Sequence, residues 1–176
     1  MNTYDEHKLI LTIETALEKF SDVVYRVAYS FAKHEADAQD IFQDVFMRFM
    51  KYGIEKEFDS LEHAEHWFVR VTLNCYYTFV SKAKRREEVE TDPRNIKTEK
   101  KDYSTLTETV GELEEKYRIV IHLFYYEDYK IKEIAAILGE NENTIKTRIA
   151  RAKKMLKNKL ESENGRAEHA TDIQIT

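Results

Sequence analysis

Apolar residues recur at helical spacing in two blocks of the chain, one before and one after a polar stretch. In the first block this spacing predicts helices over about residues 9–20, 21–31 and 35–52, and a longer helix from 61 to about 84. Ser21 and Ser60 stand where helix N-caps are expected, and Gly53 is expected to end the third helix. The second block predicts helices over about residues 113–126, 131–138 and 142–160. The pattern therefore predicts an all-α fold.

The stretch between the two blocks is charged, has almost no apolar residues and contains the only proline, Pro93. Such a composition is typical of a flexible linker. The last residues lack apolar periodicity, which predicts a disordered tail. We therefore expect two small helical domains at residues 1–88 and 105–162, a linker at 89–104 and a tail at 163–176.

Composition limits the classes of protein to which the chain can belong. Among its 176 residues, 4 glycines and 1 proline are too few for turn-rich barrels or glycine-rich phosphate loops. No apolar stretch approaches the ~18 residues needed to cross a membrane, and the N-terminus carries acids where a signal peptide needs basic residues. The single cysteine, Cys75, excludes an internal disulfide framework. We therefore expect a cytoplasmic protein.

Charge is segregated along the chain, although the net charge of −5 by itself argues against a nucleic-acid binder. Residues 143–160 carry seven basic residues and no acid, and residues 66–86 carry five basic residues and no acid. Acids instead concentrate in one short run: Glu35, Asp37, Asp40 and Asp44. Because phosphate contacts depend on local potential, the two basic segments are candidate nucleic-acid surfaces.

Residues 131–149 have the spacing of a helix-turn-helix motif. Ala135 is small enough to let a second helix approach, and Gly139 follows at a turn where a positive φ favours glycine. Asn141 is placed to cap the second helix, and Ile145 to anchor it in the core. A generic helical hairpin shares this periodicity, but it does not need seven basic residues on its second helix. The motif therefore favours DNA binding.

The ~100° step between helical residues separates the two faces of the second helix. Its apolar stripe is formed by Ile145, Ile149, Ala152, Leu156 and Leu160. The opposite side carries Asn143, Lys146, Thr147, Ala150, Arg151 and Lys154. Lys146 and Arg151 are suited to guanine edges, whereas Arg148 lies beside the apolar stripe and is expected to contact a phosphate.

The segment 66–86 combines its basic residues with aromatic side chains: Trp67, Phe68, Tyr76, Tyr77 and Phe79. Aromatic faces stack on unpaired bases while basic residues follow the backbone, so the segment is a candidate single-strand surface. Asn74 adds an amide that can contact a base edge. Any one of these aromatic residues could equally belong to the core.

Three stretches resemble, in order, the conserved regions of bacterial RNA polymerase sigma factors. YRVAYSFAKHEADAQDIFQDVFMRFMKY resembles region 2, and WFVRVTLNCYYTFVSKAKRR resembles the promoter-melting segment that follows it. LEEKYRIVIHLFYYEDYKIKEIAAILGENENTIKTRIARAKKML resembles region 4, which binds the −35 element. Two such domains with a linker resemble the extracytoplasmic-function (ECF) group. The resemblance implies a non-enzymatic transcription initiation factor that binds core polymerase, recognises −35 and −10 elements and helps to open the promoter.

The resemblance assigns residues and partners to these roles. Residues matched to the surface that docks on the β′ clamp helices of the polymerase are Asp37, Asp40, Gln43, Asp44, Phe46 and Arg48. Residues matched to −10 binding are Trp67, Arg70, Asn74, Tyr76, Tyr77, Lys82, Arg85 and Arg86. Residues matched to −35 binding are Asn143, Thr144, Lys146, Thr147, Arg148, Ala150, Arg151 and Lys154. The implied partners also include the polymerase β flap, promoter DNA and an anti-sigma factor, usually a membrane protein in this family.

The chain departs from the family pattern at a few positions. Glu114 stands where the family usually has proline, Thr78 where aspartate is common and Ser81 where arginine is common. His63 and His66 lack a third ligand nearby in sequence, so we expect no metal site. No phosphate-binding loop or catalytic motif appears either, so we expect no cofactor and no small-molecule substrate. The alternative to a sigma factor is a self-contained helix-turn-helix regulator that binds operator DNA as a homodimer. Such a regulator does not require the aromatic and basic segment 66–86.

Overall fold

A computed structural model describes residues 8–32, 34–89 and 109–171, except for the side chains of 84, 86–89 and 162–171. The chain divides into two compact units, Met1–Thr98 and Glu99–Thr176. This division falls inside the segment predicted to be a linker. Residues 90–108, which include nearly all of that segment, lie outside the described part of the chain.

Unit 1 is a bundle of three helices with a small two-stranded sheet. Its elements in chain order are β1 (Leu9–Ile10), α1 (Ile13–Phe31), α2 (Glu35–Tyr52), β2 (Glu57–Phe58) and α3 (Leu61–Val89). The strands pair antiparallel, with Leu9 opposite Phe58 and Ile10 opposite Glu57. Each helix packs against the other two. Their shared core contains several stacked and tilted aromatic rings, so α3 is fixed by the packing of its apolar side.

The first two predicted helices are one continuous helix, α1, and the prediction of a separate helix capped by Ser21 is wrong. The cap is Thr12, whose hydroxyl accepts a hydrogen bond from the backbone N–H of Thr15 at 3.3 Å. Ser21 lies inside α1, because the buried stripe continues past it at unbroken helical spacing from Phe20 to Val24. A single serine within a helix costs less than this packing contributes.

Two predicted helix boundaries in unit 1 are confirmed. The hydroxyl of Ser60 accepts a hydrogen bond from the backbone N–H of His63 at 3.0 Å, at the start of α3. Gly53 ends α2, and its N–H bonds to the carbonyl of Phe49 at 2.7 Å. A Cβ on Gly53 would lie only 2.5 Å from the ring of Phe49, so close packing requires glycine there.

Unit 2 contains a helical turn at residues 109–111, followed by α4 (Glu115–Tyr125), α5 (Ile131–Leu138) and α6 (Glu142–Thr171). Helix α4 begins after Leu113, later than predicted, because Glu114 is its N-cap and has non-helical backbone angles. Helices α4 and α5 both pack on α6. Their core includes Leu113, Tyr117, Ile121 and Ala152.

Helix α6 continues to Thr171, so the predicted disordered tail is wrong for residues 163–171. Residues 172–176 lie outside the described part. The apolar periodicity ends at Leu160, so the sequence gives no apolar signal for the last part of the helix. Charged residues and alanine propagate a helix well, and Gly165 costs about 1 kcal/mol relative to alanine. Over the described residues, no helix is long and apolar enough to cross a membrane.

Candidate nucleic-acid and polymerase interfaces

The helix-turn-helix predicted in unit 2 is confirmed at each of its marker residues. Gly139 is left-handed, with φ 68° and ψ 32°, and follows α5 directly. The side chain of Asn141 accepts a hydrogen bond from the backbone N–H of Thr144 at 2.8 Å, which caps α6. Ala135 and Ile145 are both buried. The turn and the cap therefore fix where the basic part of α6 begins.

Helix α6 has the two faces that its sequence predicts. Ile145, Ile149 and Ala152 are buried, and Leu156 and Leu160 are half-buried. The opposite side, called here the α6 outer face, is exposed at every predicted position: Asn143, Lys146, Thr147, Ala150, Arg151 and Lys154. This face presents cations, hydroxyl and amide groups and a methyl group, the chemistry used for base contacts in the major groove.

Two predicted −35 residues are engaged within the protein. Arg148 Nη2 lies 2.8 Å from Glu140 Oε2, so its guanidinium is already paired with a carboxylate of the turn. The Thr144 hydroxyl is 3.0 Å from Asn141 Oδ1 and belongs to the helix cap. The two −35 residues that lie outside the α6 outer face are therefore already engaged within the protein.

A polar groove of about 440 Å³ lies between the start of α4 and the start of α6. Its lining is Lys116, Tyr117, Asn141, Asn143, Thr144, Thr147, Arg148 and Arg151. Lys116 comes from α4 and was not among the predicted DNA contacts. The helix-turn-helix spacing gives no signal for it, because the packing of α4 on α6 brings it there.

One side of α3 in unit 1 is exposed and basic. Arg70, Asn74, Tyr77 and Ser81 follow one another at helical spacing, and all four are exposed. Lys82 and Arg85, near the end of the helix, are exposed as well. This side, called here the α3 outer face, combines cations, an amide and one aromatic ring. The side chain of Arg86 lies outside the described part.

The other two aromatic residues predicted to contact the −10 element lie wholly or partly in the core. Tyr76 is only 8% exposed, and its ring centroid lies 5.5 Å from that of Phe31, so its assignment to DNA is wrong. Trp67 is half-buried, with its ring edge-to-face against Phe58 and Phe68 at 6.0 and 5.0 Å. Both positions lie on the sides of α3 that face α1, α2 and β2. Tyr77, 41% exposed, keeps the predicted exposure.

Helix α2 presents an acidic surface. Asp40, Gln43 and Asp44 are exposed, and Asp37 and Arg48 are half-buried. The prediction that Phe46 lies on this surface is wrong. Its side chain is 5% exposed, and its ring centroid lies 5.5 Å from that of Phe68 in the core.

Met47 adds an apolar element to this surface. It is 61% exposed and lines a shallow pocket of about 270 Å³ with Asp40, Gln43, Asp44, Phe79, Lys82 and Ala83. Met47 was not among the predicted polymerase contacts, although its spacing from Gln43 and Asp44 places it on the same side of α2. We call Asp40, Gln43, Asp44 and Met47 the α2 acidic face.

Comparison with known proteins identifies the family. Residues 16–86 match the family model for sigma-70 region 2, and residues 104–156 match that for sigma-70 region 4. The RNA polymerase sigma factor SigV of Bacillus subtilis is 33% identical over 151 residues, which cover 80% of this chain and 86% of SigV. The chain belongs to the sigma-70 family, in its ECF group. The first two stretches that resemble sigma factors lie within the region 2 match, and the third lies within the region 4 match.

Further relatives support the same assignment. The ECF sigma factor SigM of Bacillus subtilis is 25% identical over 158 residues, 84% of this chain and 94% of SigM. Among solved structures, the fold resembles that of the sigma factor RpoE from Bartonella quintana, which was crystallised with the anti-sigma factor NepR. That likeness has a TM-score of 0.68 at 21% identity and covers 84% of this chain and 96% of the other.

An apolar groove of about 630 Å³ in unit 2 of this sigma factor lies between α4 and the later part of α6. Its lining is Val110, Ile121, Tyr125, Tyr126, Lys153, Leu156, Lys157, Leu160 and Glu161. The Nζ of Lys153 lies 5.2 Å from the centroid of the Tyr125 ring, a cation–π contact at the rim. Open apolar surface with a cationic rim is suited to a protein partner.

Cys75 of the sigma factor is a packed thiol. It is buried in α3, and burial raises its pKa to about 11, although the charges of Arg48 and Lys82 lower it. The charge of Asp44 adds to the increase in this pKa. Because the thiolate is the reactive form, the side chain is unreactive at neutral pH. Over the described residues, no group of three His, Cys, Asp or Glu side chains could hold a metal ion.

Proposed function

We propose that this sigma factor binds core RNA polymerase, contacts the −35 element through unit 2 and the −10 element through unit 1, and helps to open the promoter. The observation that supports this most is the presence of two separate exposed basic surfaces in one chain. The α6 outer face suits a duplex, and the α3 outer face, with Tyr77, suits an unpaired strand. A homodimeric operator-binding regulator needs only the first, and membership of the sigma-70 family disfavours it.

Contact with the −35 element falls to the α6 outer face. Lys146 and Arg151 are exposed and can donate to guanine edges, and the methyl group of Ala150 can meet a thymine methyl. Thr147 donates its hydroxyl proton to the carbonyl of Asn143 at 2.8 Å, so its oxygen remains able to accept from a base. Sequence preference in this proposal therefore comes from the second and third turns of the helix.

Contact with the −10 element falls to the α3 outer face. The exposed ring of Tyr77 offers a stacking surface for an unpaired base, and the amide of Asn74 lies one turn before it. Arg70, Lys82 and Arg85 supply positive charge along the same helix. Single-stranded DNA is held by this combination of stacking and charge, so the face stabilises the melted strand rather than the duplex.

Polymerase binding falls to the α2 acidic face. Its carboxylates carry the same charge as DNA phosphates, so this face suits contact with a protein and not with DNA. The family resemblance identifies that protein surface as the β′ clamp helices. Met47 gives this face an exposed apolar side chain. Interfaces of this kind gain affinity from a few desolvated apolar anchors and gain orientation from surrounding charges.

The apolar groove is the candidate contact for the β flap. Leu156 and Leu160 are half-buried there, so further apolar area becomes buried when a partner helix docks. Lys153 and Lys157 at the rim favour an acidic partner segment. The groove gives unit 2 a polymerase contact that is separate from the α6 outer face.

Control by an anti-sigma factor is part of the proposal. The α2 acidic face and the apolar groove are both exposed, and a third protein that covers them would block polymerase binding. We further propose that the chain acts in the cytoplasm, where polymerase and promoter DNA lie. Recovery of a native complex in which hydrogen exchange of both faces is suppressed would support sequestration. Recovery of complexes with polymerase alone, and activity that follows only the amount of the chain, would contradict it.

The test of the function is reconstituted transcription. The full chain is added to bacterial core polymerase on fragmented genomic DNA of the source bacterium, and transcript 5′ ends are sequenced. A common pair of sequence elements upstream of the new start sites is expected. A Lys146→Ala/Arg151→Ala variant should remove that selectivity, and a template with an unpaired −10 segment should restore part of the signal. Tight, specific operator binding by the chain without polymerase would instead support the homodimeric regulator.

A further inference from the structure

Two cations that line the polar groove are each held by a carboxylate of the same unit. Lys116 Nζ lies 2.6 Å from Glu114 Oε2, and Arg148 Nη2 lies 2.8 Å from Glu140 Oε2. Arg151 also lines the groove, and no ion pair to it is found among the described side chains. The groove therefore contains three cations, two of which have a carboxylate partner.

The two ion pairs act on one another electrostatically. The hydrogen bond from Lys116 to Glu114 is the largest cause of a raised pKa at Lys116, and the positive charge of Arg148 opposes that increase. Arg148 and Lys116 thus belong to one patch, although they come from different helices. Without the two carboxylates, Lys116, Arg148 and Arg151 would give the groove a local charge of +3. With them the charge is +1.

Phosphate competes with a carboxylate for the same donors. Binding to DNA of random sequence is dominated by cations that neutralise phosphates, so a cation held by an internal acid contributes less to it. Base contacts from the α6 outer face use Lys146 and Arg151, which neither of these carboxylates holds. Lys146 does lie 3.9 Å from Glu142 Oε2, a longer pair than either of the two in the groove. An internal carboxylate therefore weakens non-specific binding more than it weakens specific binding.

We propose that Glu114 and Glu140 are specificity-determining residues that compete with DNA phosphates for Lys116 and Arg148. They suppress binding of the chain to DNA of random sequence. The inference rests on the proposed contact of α6 with duplex DNA. The side chains of both pairs are partly exposed, so a phosphate can reach the cations once the carboxylates are displaced. Glu114 also stands where the family resemblance leads one to expect proline, which carries no charge.

The test uses the full chain with Glu114→Gln and Glu140→Gln, which keep side-chain shape and remove the charge. Binding to a fluorescent duplex of random sequence is measured by anisotropy over a range of salt concentrations. Each variant should bind about two- to fivefold more tightly at low salt, the range that an exposed ion pair is worth. The slope of log K against log salt should steepen by up to about 0.9 for each freed cation. Affinity of the holoenzyme for a promoter duplex should change less, so specificity falls.

The matched control is Glu18→Gln in unit 1. Glu18 is exposed and pairs with Lys19 at 3.5 Å, so this change also removes one acid and frees one lysine. It should leave the salt slope unchanged. Glu140→Asp keeps a carboxylate, so it should bind the random-sequence duplex as weakly as wild type does. Melting temperatures check the fold, and if Glu140→Gln fails to fold, Glu114→Gln carries the test.

Two results would overturn the inference: unchanged affinity and slope in the folded glutamine variants, or an equal gain in Glu18→Gln. An equal gain in Glu18→Gln would show that the gain in affinity comes from net charge alone. Failure of the proposed function is distinguishable, since it would show as loss of promoter selectivity by the wild-type holoenzyme. A gain in random-sequence affinity that the Glu18→Gln control does not share indicates that this part of unit 2 contacts a duplex.

Discussion

The Oδ1 atom of Asn141 caps the start of α6 by accepting two hydrogen bonds from Thr144. The backbone N–H of Thr144 donates at 2.8 Å, and the hydroxyl of Thr144 donates at 3.0 Å. Gly139, with φ 68°, reverses the chain just before this cap. Together they determine the residue at which the helix begins, and hence which side chains of α6 face outwards. The cap is therefore a link between local backbone chemistry and sequence recognition.

Replacement of Asn141 by alanine should lower the free energy of unfolding of unit 2 by about 1 kcal/mol, because an N–H at the helix start loses its acceptor. Asn141→Asp should keep most of the stability, since aspartate caps equally well. Thermal denaturation followed by circular dichroism measures both. Asn143→Ala is the control, as no helix cap depends on that side chain. Equal melting of Asn141→Ala and wild type would contradict the role of the cap.

Base contacts from the α6 outer face predict a specific pattern of losses. Lys146→Ala and Arg151→Ala should each cost about 1–3 kcal/mol of holoenzyme binding at the −35 element. Lys157, which lies further along α6 and pairs with Glu161 at 3.7 Å, is expected to contact only phosphate. Lys157→Ala should therefore weaken specific and scrambled duplexes alike. Similar losses on both duplexes for all three variants would contradict base contact.

The α2 acidic face should tolerate charge reversal in the fold but not in polymerase binding. Asp40→Lys with Asp44→Lys changes exposed helix positions, so stability should shift by no more than about 0.5 kcal/mol per site. Affinity for core polymerase, measured by competition with a labelled sigma factor, should fall. Glu18→Lys applies charge reversal to an exposed acid of α1 and should leave that affinity unchanged. Undiminished polymerase binding by the double variant would assign these carboxylates to solubility alone.

The helices of the fold could be predicted because most of them bury one apolar side. Ala135, Gly139, Asn141 and Ile145 each have a local chemical role, and all four roles are present. A two-residue strand has no periodicity of its own, so Leu9 was assigned to a helix although it pairs with Phe58. The continuation of α6 gives no such signal either, because residues 161–171 have no apolar periodicity.

The candidate surfaces were predicted less completely, because exposure depends on what a helix packs against. Phe46 and Tyr76 are aromatic residues next to functional positions, and only the packing of α1, α2 and α3 places them inside. The pair between Arg148 and Glu140 depends on how the turn orients both side chains. Lys116 lies on a different helix from the motif it joins. No spacing rule along the chain contains these relationships.

The buried thiol of Cys75 should make stability depend on alkaline pH. The pKa of this thiol is raised to about 11 in the folded protein from a reference of 9.0, so between these values only the unfolded chain releases the proton. The unfolded state then binds fewer protons than the folded state, and stability falls as pH rises through this window. Urea unfolding at several pH values should show a steeper alkaline loss for wild type than for Cys75→Ala. Equal slopes would indicate that the thiol ionises as readily in the folded protein.

Adjacent tyrosines of α3 should have opposite phenotypes. Tyr76 is 8% exposed and packs on Phe31, whereas Tyr77 is 41% exposed on the α3 outer face. Tyr76→Ala should cost about 3–5 kcal/mol of stability, the range for removal of a large buried aromatic side chain. Tyr77→Ala should cost much less, because a large part of the ring remains in water.

When promoter opening is measured, Tyr77→Ala should have the direct effect, although it is the less destabilising of the two substitutions. Tyr77→Ala removes the exposed stacking surface, and loss of base–aromatic stacking is worth about 1–3 kcal/mol per base. Holoenzyme with this variant should therefore open promoters poorly, detected with a fluorescent base analogue in the −10 element, and recover on a template whose −10 segment is already unpaired. Tyr77→Phe keeps the ring and should behave as wild type. If Tyr77→Ala opens promoters normally, the −10 strand must rest on the basic side chains of α3 alone, since Tyr76 is not exposed to receive a base.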